Sequence, residues 1–179
     1  MVIEWLRRVR YRVQQFLAAL HAHVTPAEVA ALHGVLPAAG LALFCRMPVA
    51  DQRHSLDVCA ALRQQGYADP DLLAAALLHD VAKAGHIHLW HRVALVLLKS
   101  NAPGQRVLAR LARPAPTRSL RYPFYVSVHH PTLGAQQALA AGCSSRTAWL
   151  IAHHQTPITA PQSADQALLA ALQKVDDEL

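Results

Sequence analysis

Apolar positions along the first segment, Val2, Trp5, Leu6, Val9, Val13, Phe16, Leu17 and Leu20, recur at intervals of three and four. That spacing predicts an amphipathic helix from Val2 to about His23, with Arg7, Arg8, Arg10 and Arg12 mostly off the stripe. Thr25-Pro26-Ala27-Glu28 is a capping box with proline at the first helical position, so a second helix starts there and ends before Pro37. A short helix through Leu41–Arg46 follows. Asp51 is placed to cap a helix that carries His54 and stops near Gly66. Asp69-Pro70-Asp71 opens another, whose Leu72–Leu78 stretch is apolar on all sides and therefore predicted to be buried all round. A long helix over Leu89–Ser100 breaks at Ala102-Pro103-Gly104, and the Pro/Arg/Ser/Thr-rich run from Arg113 to Pro123 reads as a loop. Pro131–Ala141 is predicted as a helix stopped by Gly142. Ser144 or Ser145 caps the next, ending near His154, and Ser163 with Gln166 forms a capping box for the last. No strand pattern, repeat or low-complexity tract interrupts this series. The expectation is one all-α domain over residues 1–179, with residues 1–50 as an N-terminal helical extension.

Composition narrows the class. Of 179 residues, 53% are hydrophobic and 16% charged, which excludes a disordered chain and supplies enough apolar side chains for a core. The net charge of +6 suits an anionic partner: a phosphorylated metabolite, a nucleic acid or an anionic membrane. It does not choose among them, and no firm nucleic-acid motif is present. Cys45, Cys59 and Cys143 are far apart among apolar neighbours and read as buried, reduced thiols. The first residues lack a signal-peptide pattern, and the richest apolar stretch, Val35–Cys45, falls short of the roughly 18–20 residues of a membrane span. A cytoplasmic protein without a transmembrane segment is expected.

Twelve histidines stand out in this composition. His54, the pair His79-Asp80, His130, the pair His153-His154, and Asp176 each fall near a helix end or on a face able to converge on one point. His79-Asp80 alone would read as a helix-end pair bonded to backbone. Burying an ionised aspartate beside several imidazoles, however, is costly unless a cation balances it. Imidazole and carboxylate ligands suit Fe, Mn, Zn, Co or Ni, and a bridging carboxylate permits a two-metal site.

The order His54, His79-Asp80, His130, His153-His154, Asp176 resembles the H…HD…H…H…D signature of the HD superfamily of metal-dependent phosphohydrolases. The local text is similar as well: Ala74–Lys83 (AAALLHDVAK) to the segment around the family's HD pair, His130-Pro131-Thr132-Leu133-Gly134-Ala135 to "HPxxGA", and Ile151-Ala152-His153-His154 to "IxxHH". The resemblance covers about Asp51–Asp176. It implies a helical bundle around a central metal site, with residues 51–179 as the metal-binding core. It implies that His54, His79, Asp80 and Asp176 hold one divalent metal, and that Asp80 bridges to a second held by His130, His153 and His154. Asp80 and Lys83 are the implied catalytic residues. A metal-activated hydroxide attacks phosphorus, and Lys83 meets a substrate phosphate as a point charge. The implied partner is a small phosphorylated, nucleotide-like substrate, with cyclic dinucleotides also candidates.

Two departures from the family pattern matter. Ala82 stands where HD-GYP phosphodiesterases have glycine, and no Gly-Tyr-Pro follows His154, which weakens the cyclic-di-GMP reading. Lys83 replaces the glutamate seen after HD in stringent-response hydrolases, which favours a two-metal branch. Di-iron oxygenase chemistry and a non-catalytic metal-binding signalling domain are the alternatives. His129 competes with His130 as ligand, and Asp177 with Asp176. His86, His88 and His91 form a local cluster without a nearby carboxylate, and His21, His23 and His33 read as surface or packing residues. Arg53 either orients a phosphate or pairs with a carboxylate. Arg118 and Arg121 are weaker substrate-contact candidates.

Overall fold

A computed structural model describes residues 22–87 and 89–179. The helix expected over Val2–His23 lies almost wholly outside the described residues, as do His21 and His88. Every regular element among the described residues is helical, and none of these helices is long and apolar enough to cross a membrane.

The α-helices are α1 (Pro26–Ala31), α2 (Ala38–Cys45), α3 (Val49–Gln64), α4 (Pro70–Leu78), α5 (Leu89–Lys99), α6 (Ala102–Leu111), α7 (Tyr122–Ala140), α8 (Ser145–His153) and α9 (Ala164–Glu178), with 3₁₀ turns at Leu32–Gly34 and Val81–Lys83. Local chemistry sets most boundaries. Thr25 and Glu28 close the predicted capping box. Asp69 accepts from the amides of Asp71 and Leu72 at 3.0 Å each, and Ser144 accepts from Thr147. Ser163 accepts from the Gln166 amide, but Gln166 reaches back to the amide of Gln162 rather than to Ser163 itself. Gly66 and Gly142 take positive φ, 88° and 84°, where α3 and α7 end.

Helix α4 is the axis of the bundle. All residues from Leu72 to Leu78 are buried, and α2, α3, α8 and α9 pack around it. The longest pairing is α7 against α8, made close by small residues. A Cβ on Gly134 would sit 3.3 Å from Ile151 Cγ2 and 3.5 Å from Val81 Cγ1, so glycine lets α7 approach both α8 and the turn that follows Asp80. Leu32, Leu36, Leu41, Phe44 and Met47 join the same core, so residues 32–47 pack as part of the bundle rather than beside it. Leu95, Leu108 and Phe124 form a separate, smaller cluster that joins α5, α6 and α7.

Several boundaries differ from expectation. Helix α3 starts at Val49 after Pro48, so Asp51 lies buried in its first turn instead of capping it. Ala102-Pro103-Gly104 break one helix by opening the next: Asn101 caps α6 through the Gly104 amide at 2.7 Å. Helix α7 begins at Tyr122, nine residues before Pro131, which sits buried in its interior. Cys45 is exposed and Cys143 half-buried, leaving Cys59 as the buried thiol of the three, all free; burial pushes its pKa up.

Candidate metal centre

Three histidines come to the centre with their tautomers set by the backbone. His79 follows α4 and its Nδ1 lies 2.9 Å from the Ala76 carbonyl; His154 follows α8 and its Nδ1 lies 2.7 Å from the Ile151 carbonyl. His130 is within α7, with Nδ1 2.9 Å from the Ser127 carbonyl. Proline explains that last bond. Pro131 has no N–H to give the carbonyl four residues earlier, so Ser127 is free to accept from the imidazole beside it. A carbonyl only accepts, so in each case Nδ1 carries a proton, and Nε2 presents a lone pair whenever the ring is neutral.

These Nε2 atoms meet two carboxylates. His54 Nε2 lies 2.8 Å and His79 Nε2 3.4 Å from Asp176 Oδ1. Asp80 Oδ1 lies 3.3 Å from His130 Nε2 and 3.8 Å from His154 Nε2. The ligand atoms therefore fall into two groups, His54–His79–Asp176 and Asp80–His130–His154, the atoms of each within 4.8 Å of one another. His79 Nε2 and Asp80 Oδ2, 3.8 Å apart, join them.

The donor set fits divalent cations. His130 and His154 direct their Nε2 atoms at each other across 3.2 Å, and neither has a proton there to donate. Two nitrogens bound tetrahedrally to one metal at about 2.05 Å would be about 3.3 Å apart. His79 Nε2 and Asp80 Oδ1 are buried without a hydrogen-bond partner. Leaving such a group unmade costs about 1–3 kcal/mol, and a cation between the residues would satisfy both.

The electrostatics agree. Burial pulls His79 down, but Asp80 and Asp176 outweigh it and raise its pKa to about 9. Burial would raise both carboxyls, yet Lys83 and His79 hold Asp80 well below the usual carboxylate range, and the hydrogen bond from His54 with the charge on His79 holds Asp176 below it. Burial, then the charge on His79, lowers His154 to about 4; burial likewise lowers His130. The centre therefore holds two ionised carboxylates and two neutral imidazoles, with the charges on His79 and Lys83 in the place that bound cations would take.

His153 is not brought into either group. Its Nδ1 lies 2.8 Å from the Trp149 carbonyl and its ring stacks on Trp149, centroids 4.7 Å apart. Adjacent residues on a helix point about 100° apart, so only one of the pair can face the centre. The same geometry separates His129, which bonds the Ala112 carbonyl, from His130. Asp176 rather than Asp177 lies in the centre. Lys83 Nζ sits 2.7 Å from Asp80 Oδ2, so the lysine meets the carboxylate itself. Arg53 pairs with Glu28 and Asp57, and hydrogen bonds from Arg53 and Thr25 lower the Glu28 pKa to about 2. His86 packs edge-on against Tyr122, His91 is buried beside Trp90, and His23 and His33 are exposed. Arg118 and Arg121 are exposed in the segment before α7.

One positioning residue has no signal in the sequence. The Gln173 amide donates to the carbonyls of His153 at 3.2 Å and Thr156 at 2.6 Å. It ties the end of α8, which supplies His154, to α9, which supplies Asp176.

No protein-family model, curated protein or solved structure matches the chain.

Proposed function

We propose that the chain is a metal-dependent phosphohydrolase of the HD type, acting on a phosphate ester of a small, nucleotide-like molecule with two divalent cations. The observation that carries this reading is the division of six ligands from five elements into two adjacent groups of three, bridged at His79-Asp80. One group would hold the first cation through His54, His79 and Asp176. The other would hold the second through Asp80, His130 and His154, and Asp80 has a second oxygen to offer the first. His153 is left out of this ligand set. When bound, the cations supply Lewis acidity toward a phosphoryl oxygen and toward an attacking water.

The chain's own residues do the rest. Nδ1 bonds to Ala76, Ser127 and Ile151 fix the three imidazoles before any ligand arrives, so little reorganisation is required of them. Lys83 holds a positive charge at the rim of Asp80. Exchanging that contact for a substrate phosphate oxygen would place a cation where phosphoryl charge builds. The net charge of +6 favours approach of an anionic substrate.

Elemental analysis of the purified protein beside an Asp80→Ala variant tests the reading. The expected result is close to two equivalents of Fe, Mn, Zn, Co or Ni, lost in the variant, with phosphate release from a nucleotide or cyclic-dinucleotide panel by the wild type. Retention of metal by Asp80→Ala would overturn the ligand assignment. Full metal loading with no phosphate release, but with oxygen consumption by an iron form, would replace hydrolysis by oxygenase chemistry.

A further inference from the structure

Helix α5 is apolar on both its faces. Leu95 is buried with Ala94 and Leu98 against Leu108 and Phe124. On the other side Trp90, Val93, Val96 and Leu97 are exposed by 55%, 54%, 49% and 65%. A helix with apolar residues on its exposed side as well as its buried side belongs against something apolar on both. The cluster with α6 and α7 accounts for one side only.

Charge narrows what could cover the other. From residue 89 to 121 the chain carries six arginines and one lysine and no aspartate or glutamate. Val107 and Leu120 are exposed within the same stretch, by 45% and 83%, and Arg106 and Arg110 are exposed on α6. A second copy of this chain would bring the same cations to the contact. The chain's own first segment would bring Arg7, Arg8, Arg10 and Arg12 against a single Glu4. Both are like-charged and repelled. Nucleic acid would satisfy the arginines and leave Leu97 and Val93 in water.

We propose that the α5–α6 hairpin is a peripheral docking surface for an anionic lipid bilayer, with the α5 stripe entering the headgroup boundary and the surrounding arginines meeting lipid phosphates. An exposed aliphatic row, a tryptophan at its edge and a basic, acid-free surround is the pattern by which interfacial helices lie on membranes without spanning them. This surface uses none of the candidate metal ligands, so the proposal stands apart from the hydrolase reading.

The test is flotation of the full-length protein with vesicles of pure phosphatidylcholine or of phosphatidylcholine with phosphatidylglycerol. Wild type should float with the anionic vesicles and remain behind with the neutral ones. A Val93→Ser/Leu97→Ser variant and an Arg106→Glu/Arg110→Glu variant should each lose at least tenfold in partitioning. Unchanged helical content and melting would show that each loss is local. Failure of the wild type to float overturns the proposal. So does flotation that persists in both variants, which would assign the binding to the arginine-rich first segment. Binding to duplex DNA in place of vesicles would make the face a nucleic-acid surface.

Discussion

Helices α4 and α5 are built from similar residues and end in opposite circumstances. Pro70–Leu78 reads PDLLAAALL and Leu89–Lys99 reads LWHRVALVLLK. In α4 every residue from Leu72 to Leu78 is buried, whereas α5 leaves Trp90, Val93, Val96 and Leu97 in solvent. The difference lies in the surroundings. Helix α4 has neighbours on four sides and an aspartate cap at its start, so its end is delivered to a fixed place. Two charged or polar residues, His79 and Asp80, can then be carried into the interior because others wait there to balance them. Helix α5 follows the Val81–Lys83 turn and, among the described residues, packs chiefly on α6 and α7. Apolar sequence thus predicts that a helix seeks cover; the elements around it decide whether it finds cover within the chain.

The sharpest way to break the α4 end of this comparison is to remove its carboxylate's partners one at a time. If the proposed centre holds two cations, His154→Gln should lose one metal equivalent, because its Nε2 faces Asp80 and His130. His153→Gln, one residue earlier, should retain both. Metal analysis of the pair checks this, and equal loss from both variants would return His153 to the ligand set. Truncation of Asp176–Leu179 removes a candidate ligand of the other group and, on the proposed two-metal reading, should release the cation that His54 and His79 would hold.

In stability, the contrast is expected to be widest in the core. Leu77 has no exposed surface, and Leu77→Ala should cost about 2–5 kcal/mol, the usual range for such a cavity. Chemical denaturation midpoints at constant slope would measure it. A smaller effect belongs to Arg146, which bonds Asp69 and Asp165 at 2.7 Å each and lies 3.6 Å from Asp71. It pins the starts of α4, α8 and α9 together. These side chains are about a quarter to a half exposed, so Arg146→Met should lower the denaturation midpoint by much less than Leu77→Ala does, as ion pairs open to solvent contribute little.

How far the sequence could be read follows from the same contrast. The helical class, the buried Leu72–Leu78 run and the caps at Thr25, Asp69, Ser144 and Ser163 rest on local rules, and these elements form as those rules require. The order of His54, His79-Asp80, His130 and Asp176 identified residues that the fold brings within bonding distance across up to 122 positions of sequence. The choice between His153 and His154 was not legible. It depends on the rotation of α8 against α7, which Gly134 and Ile151 settle in three dimensions. Pro131 reads as a helix start because proline at the first turn is the common case, whereas it lies inside α7. Its place inside α7 becomes affordable once His130 takes the carbonyl that proline leaves free. Gln173 bonds carbonyls 17 and 20 residues away, and nothing in its neighbours in sequence announces that.

The smallest expected effect is also the most discriminating. Leu97 is 65% exposed, so Leu97→Ser removes little buried surface and should change stability by less than about 0.5 kcal/mol, as surface substitutions generally do. Set beside Leu77→Ala, it separates two leucines of similar local context by burial alone. The comparison gains meaning when both variants are measured in water and again with anionic vesicles. If the exposed stripe is covered by lipid, Leu97→Ser should remain nearly silent in water and show a loss of partitioning with vesicles, while Leu77→Ala should weaken the fold in both. A large destabilisation by Leu97→Ser in water would mean that another part of the chain already covers the stripe, and α5 would then be a core helix like α4.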